Sequence, residues 1–295
     1  STTQSTGPGG SGGSGGSGGA TPLDPCADGE WTCLRTEPKG PYGSRTMAIP
    51  AAQNWVNTGL YLLAGETAEI TVQSGRWALN NNKVGKTIDH GPCVVGDLVA
   101  RTGLHYKDEA LTCVDGSATF TADKDGVLFL GALPSNDLGE SYETRRKATG
   151  AKTVKVESTG NTVPTVLATE AATYAFDEVS SGWVEIMGKH IIVTLPTATA
   201  TKDADVLKQA MDTLDEFYRL HEELRGGVPQ HGQRIRFFPD GQNPGLMLAG
   251  NPIRMKTTLV TADNRISRAG QPEVGVWGYA HELGHDFTFV GGSWT

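Results

Sequence analysis

Residues 45–158 alternate short apolar runs with turn residues and nowhere settle into helical spacing. The runs are Leu60-Tyr61-Leu62-Leu63, Ala68-Glu69-Ile70-Thr71-Val72, Leu98-Val99-Ala100, Ala118-Thr119-Phe120-Thr121, Val127-Leu128-Phe129-Leu130 and Val154-Lys155-Val156. Between them stand Ala64-Gly65-Glu66, Ser74-Gly75, Asp115-Gly116 and Asp125-Gly126, residues that reverse a chain cheaply. Short β-branched and aromatic runs bounded in this way read as strands. Many of them in succession, without a helix, predict a jelly-roll-like β-sandwich over residues 46–158.

The ends of that block set its organisation. Residues 1–20 are almost all Gly, Ser, Thr and Pro, with Gly-Gly-Ser repeated, which predicts a flexible linker. It suits a spacer holding an exported domain off a cell envelope, or equally a linker added for expression. The four cysteines fall into two local pairs, and an even number at loop-like spacing points to disulfides and an oxidising compartment. Four cysteines allow three connectivities. Cys26–Cys33 and Cys93–Cys113 are the expected ones because each closes a short loop, the first bracketing residues 21–45. Free or metal-bound thiols are the alternative, but no CxxC spacing supports a thiolate zinc site.

The chain is 37% hydrophobic and 20% charged over 295 residues, a globular composition long enough for two domains. A net charge of −8 without a basic run excludes an electrostatic nucleic-acid footprint. No apolar run approaches the roughly 20 residues of a membrane helix. No charged-then-apolar leader opens the sequence, so any signal segment is expected to have been removed or left out.

After about residue 160 the pattern changes, and residues 159–182 read as a connection between domains. Trp183-Val184-Glu185-Ile186 and His190-Ile191-Ile192-Val193-Thr194-Leu195 predict a hairpin turning at Met187-Gly188-Lys189. Leu207, Met211, Leu214, Phe217, Tyr218 and Leu224 recur at helical spacing, with Asp203 as the expected N-cap and Gly226-Gly227 as the stop. His221 lies near that apolar stripe and reads as a packing residue rather than a ligand. Arg234-Ile235-Arg236-Phe237-Phe238 and Thr257-Thr258-Leu259-Val260 predict further strands.

His281-Glu282-Leu283-Gly284-His285 follows. Residues four apart on a helix share one face, so both imidazoles can reach a single metal ion. Two neutral imidazoles and an open position suit zinc, and Glu282 is placed to take a proton from a metal-bound water. The apolar company of Val276, Trp277, Tyr279, Ala280, Leu283 and Phe287 predicts a helix buried on most faces. Gly284 costs about 1 kcal/mol of helix propensity against Ala, which marks close approach of substrate or a neighbouring strand. The rival reading is a helix carrying two histidines and a glutamate with no metal. Asp286 projects about 100° around the helix from His285 and is a poor third ligand. Glu273 is an upstream candidate, while the third ligand is expected beyond Thr295. The second domain is therefore expected to be incomplete at its C-terminal end, to be completed by the rest of the gene product or by a second chain.

Trp183-Val184-Glu185, Ile191-Ile192-Val193-Thr194-Leu195-Pro196, the long helix and Trp277-Gly278-Tyr279-Ala280-His281-Glu282-Leu283-Gly284-His285 resemble, in that order, the enhancin-like zinc peptidases. That family attacks mucins and other O-glycosylated proteins, and the resemblance spans roughly residues 180–295. It implies an α+β, zincin-type metallopeptidase domain over residues 183–295, with His281 and His285 as zinc ligands and Glu282 as general base. It also implies a third ligand, a Glu on a helix well downstream of the motif.

The β-rich part resembles the galactophilic lectin A-like domains in Thr58-Gly59-Leu60-Tyr61, Ala64-Gly65-Glu66, Gly96-Asp97-Leu98-Val99, and Phe129 through Asn136-Asp137-Leu138-Gly139. That resemblance implies a calcium ion contacting galactose at Asn136 and Asp137. Against it, the later Asn-Asn ligand pair is replaced by Thr144-Arg145-Arg146-Lys147, and cationic side chains do not ligate calcium. The two resemblances together imply a multidomain, secreted or cell-surface zinc endopeptidase with a glycoprotein or mucin substrate. The rivals are a carbohydrate-binding adhesin with an inactive peptidase half and a noncatalytic interaction protein.

Overall fold

The computed structural model describes residues 41–51, 56–81, 86–90, 98–102, 109–132, 150–225, 234–241, 245–249, 252–260 and 276–287. The linker at residues 1–20, Cys26, Cys33, Cys93, Asn136, Asp137, Glu273 and the 144–147 stretch lie outside these described residues. Cys113 is disulfide-bonded, and both expected pairings involve cysteines outside the described set.

The first part of the described chain holds β1 (Pro41–Pro50), β2 (Val56–Leu62), β3 (Thr67–Gly75), β4 (Trp77–Asn81), β5 (Lys86–His90), β6 (Leu98–Thr102), β7 (Glu109–Ala110), β8 (Ser117–Thr121), β9 (Gly126–Ala132) and β10 (Ala151–Thr162). The expected strands are all here. The expected pair of stacked sheets is replaced by one eight-stranded sheet, ordered β7-β6-β9-β2-β10-β3-β8 with β1 also on β10, while β4 and β5 form a separate hairpin. The length of β10 is the reason. Its first part pairs with β1 and β3, and its end, Asn161 and Thr162, pairs with β2. The two halves still share one core, in which Leu60, Leu62, Leu128 and Leu130 meet Ile70, Phe120, Val154 and Val156.

Turn chemistry follows the sequence. Asp115 and Gly116 take positive φ values of 50° and 82°, and Val114 and Ser117 exchange both backbone hydrogen bonds, the arrangement of a tight type I′ hairpin.

β10 belongs to the first sheet and β11 (Thr165–Leu167) to the second, so Val163 and Pro164 alone separate them. The rest of 159–182 holds 3₁₀ turns at Ala168–Thr173 and Phe176–Glu178. The second sheet adds β12 (Trp183–Met187), β13 (Ile191–Pro196), β14 (Ile235–Asp240), β15 (Met247–Leu248) and β16 (Ile253–Lys256) in the order β11-β12-β13-β14-β16-β15. It is mixed: β13, β14 and β16 run parallel, β11 and β12 pair parallel with each other, and β12 with β13 and β15 with β16 pair antiparallel.

Both faces of this sheet are covered. Val184, Ile186, Ile191, Val193, Leu195, Ile235 and Phe237 face a core shared with helices α1 (Thr197–Asp203), α2 (Leu207–Arg225) and α3 (Val276–Asp286). On the opposite face Phe238 and Trp183 pack with Tyr61, Val127, Phe129 and Val163, joining the second sheet to the first. The Phe129 and Phe238 rings meet edge to face at 5.2 Å.

Three expectations shift. The predicted helix is α2, but Asp203 is not its N-cap: Asp203 ends the separate helix α1, and Val206 donates to its carbonyl before α2 begins. Leu224 is exposed, and the inward stripe of α2 is Leu207, Ala210, Met211, Leu214 and Tyr218. The run 257–260 is a 3₁₀ turn after β16, held at its end where the Thr199 hydroxyl donates to the Val260 carbonyl at 2.5 Å.

Asp215 ties α2 to the β12–β13 turn. Its carboxylate accepts the backbone N–H groups of Lys189, His190 and Ile191 at 2.5, 2.7 and 3.0 Å. A Cβ on Gly188 would lie 2.6 Å from the same carboxylate, so the turn closes this tightly only with glycine there. His190 stacks on Tyr218 with centroids 4.3 Å apart, and burial, then Lys189 and Arg234, push its pKa down to about 4 from 6.5. A lowered folded-state pKa means the neutral ring is favoured on folding. Its stabilisation is complete above about pH 6.5 and is lost as pH falls toward 4. We expect the melting temperature to fall over that window and the fall to shrink in His190→Phe, which keeps the stack without a proton to gain. Thermal melts between pH 7 and pH 4 check this; equal slopes for the two proteins refute it.

Candidate metal centre

α3 turns Tyr279, Leu283, Asp286 and Phe287 into the protein and His281 and His285 outward. This corrects the expectation of a helix buried on most faces: the two histidines are exposed. Asp286, 1% exposed, sits on the inner face, in keeping with its exclusion as a ligand.

The outward histidines converge. Their Nε2 atoms are 3.1 Å apart and their rings meet nearly perpendicular at 4.7 Å. Two zinc–imidazole bonds of about 2.0–2.1 Å at a tetrahedral angle separate the nitrogens by about 3.3 Å. The donor pair therefore fits two corners of a zinc site. Among the described residues, no group of three or more His, Cys, Asp or Glu could hold a metal ion, so none of them supplies a third protein ligand. Glu282 lies between the two histidines in sequence and is half-buried. Trp277, 74% exposed, stacks on the His281 ring at 4.4 Å.

The inner face is held by aromatic contacts. Tyr279 packs at 5.3 Å against Phe237 of β14, and burial raises its phenol above the ordinary range. Phe287 meets Tyr218 edge to face at 5.1 Å and lies 5.7 Å from the His221 ring. His221 continues the buried stripe of α2 one turn past Tyr218 and reaches the Ala280 carbonyl at 2.9 Å. Within the protein, the close approach expected at Gly284 is made by this ring rather than by a strand: a Cβ there would lie 3.0 Å from His221 Cε1. Asp215 and His190 gave no sequence signal, since each looks like a polar residue of an exposed helix face or turn.

Residues 174–295 match the sequence profile described as Peptidase M60, enhancin and enhancin-like. This part of the chain is similar to the enhancin-like M60 peptidases. The chain is 26% identical over 281 residues to human TRPM8 channel-associated factor 2, covering 88% of this chain and 27% of that protein. A functionally unknown conserved protein from Bacillus anthracis str. Ames shares 14% identity at a TM-score of 0.50, over 83% of this chain and 51% of that one. A metallopeptidase from Bacteroides thetaiotaomicron shares 16% identity at a TM-score of 0.47, over 87% of this chain and 43% of that one. The chain thus spans about half or less of the length of each of these proteins. At 14% identity the Bacillus likeness speaks for fold alone, and its coverage carries that fold beyond the M60 segment into the β-rich part. Among the described residues, no helix is long and apolar enough to cross a membrane.

Proposed function

We propose that this chain is an M60 peptidase and carries the metal-binding helix of a zinc endopeptidase acting on mucin-like, O-glycosylated proteins at or outside the cell surface. The observation that carries the reading is the 3.1 Å approach of the His281 and His285 Nε2 atoms on the outer face of α3. Both imidazoles hold zinc through Nε2, and a third ligand comes from outside the described residues. A downstream Glu is what the family resemblance implies. When bound, zinc supplies Lewis acidity for the scissile carbonyl and an acidified water. Glu282 is the proton carrier: its carboxylate accepts a proton from the attacking water and delivers it to the departing amine nitrogen. The disulfide at Cys113 supports an oxidising compartment.

Zinc titration of the full-length protein tests the reading. We expect His281→Ala and His285→Ala each to weaken zinc binding by more than the 10–100-fold (roughly) typical of losing an outer partner of a metal ligand. Mucin cleavage should vanish with the metal. A wild-type protein that takes up no zinc, or alanine variants that bind it equally well, would sink the reading.

A further inference from the structure

We propose that His221 is a positioning residue for this centre: its Nε2–H, donated to the Ala280 carbonyl, fixes the turn of α3 that carries His281, Glu282 and His285. The proposal rests on the metal reading above and deepens it.

Three observations meet at one ring. The His221 Nε2 to Ala280 oxygen distance is 2.9 Å. A carbonyl only accepts, so Nε2 carries the hydrogen and the ring is the Nε2–H tautomer. In an α-helix the Ala280 carbonyl also receives the N–H of the residue four positions on, closing a ring around His281, Glu282 and Leu283. Its second lone pair is free for a donor from another element, and α2 supplies one. The same imidazole occupies the space that a side chain at position 284 would need, at 3.0 Å from a Cβ built there. Its other side faces Phe287, at 5.7 Å and 23° between planes.

The consequence is geometric. His281 and His285 bracket the turn that begins at Ala280, so a rotation or slide of α3 carries both Nε2 atoms together, keeping their 3.1 Å approach but displacing the pair from any ligand supplied by another element. Apolar packing at Tyr279, Leu283 and Phe287 resists separation of the helices, but it tolerates a small slide. A directed hydrogen bond to one named carbonyl does not. Burial lowers the proton affinity of His221 while its bond to Ala280 opposes that shift, which leaves the neutral ring as the donor. The glycine inside the HExxH motif thus has a partner in sequence 63 residues upstream, and the two together set how closely α2 and α3 approach.

The test compares His221→Met, which fills similar space without a donor, with His221→Gln, whose amide N–H can reach the same carbonyl. Both are made in the full-length protein. In the metal-free state, amide hydrogen exchange at residues 280–285 is expected to quicken about tenfold in the Met variant, the loss of one hydrogen bond, and to return toward wild type in the Gln variant. Exchange in the first turns of α2 should stay unchanged in both. The zinc Kd is expected to rise about tenfold in the Met variant and to be rescued by Gln. A Met variant equal to wild type in exchange and in zinc affinity overturns the proposal. So do Met and Gln variants impaired alike, because that outcome assigns the role to ring packing. A wild-type protein without zinc affinity sinks the metal reading alone, and the exchange result then decides whether His221 holds the turn.

Discussion

Glutamine at position 282 is expected to lower kcat/KM for a mucin-like substrate by about 10²–10⁴-fold while zinc content stays at the wild-type level. The size follows from what is removed. Glutamine keeps the volume and half-buried placement of Glu282 but cannot accept a proton at neutral pH, so the general-base contribution disappears and the ligand pair is untouched. The separation from His281→Ala is the decisive part. There the metal and the hydrolysis go together, whereas here the hydrolysis goes and the metal stays. Steady-state kinetics with metal analysis on the same preparations reads both. Hydrolysis within a few-fold of wild type in Glu282→Gln would remove Glu282 from the reaction and require another base.

The sequence made the helix of paired histidines legible because a four-residue spacing carries its own geometry. It also made most strands of the first sheet legible, since Ala68, Ile70 and Val72 alternate with Glu69 and Thr71 as a half-buried strand demands. β1 escaped because Pro41, Gly43, Ser44 and Pro50 read as loop, yet its residues pair with β10 along nearly the whole strand. α1 escaped because Thr197, Thr199 and Thr201 favour strands by propensity, and tertiary contacts overrule them. The orientation of α3 was misread because an apolar composition does not say which arc of a helix is apolar. Tyr279, Leu283 and Phe287 share the inner face, and the exposed Trp277 extends the outer one. The role of His221 was hidden for a different reason: its partner is a backbone carbonyl 59 residues away, and no side-chain pattern announces a carbonyl.

The charges of the second sheet show the same limit and lead to the second large effect. Glu185 and Arg236 look like the solvent-facing members of alternating strands, and the alternation is obeyed, but the face they point to is covered. Glu185 is 3% and Arg236 5% exposed. Arg236 Nε donates to Glu185 Oε1 at 2.8 Å, the Thr194 hydroxyl donates to the same oxygen at 3.0 Å, and the guanidinium lies 5.5 Å over the Phe129 ring. One ion pair thus spans β12 and β14 at the seam where the first sheet meets the second. Removing one partner of a buried pair strands the other, at a cost of about 3–5 kcal/mol. The two deletions are not equivalent here. Arg45 of β1 also acts on Glu185, so Glu185→Gln removes a negative charge that acts on two guanidinium groups, while Arg236→Met leaves the carboxylate with Arg45 and the Thr194 hydroxyl. We therefore expect both substitutions to destabilise by this amount, Glu185→Gln the more, and the Glu185→Met/Arg236→Met pair to lose less than either alone. Denaturant unfolding of the three variants measures the order. A double variant at least as unstable as the sum of the singles would mean that Glu185 and Arg236 contribute independently and that their ion pair adds nothing at the seam.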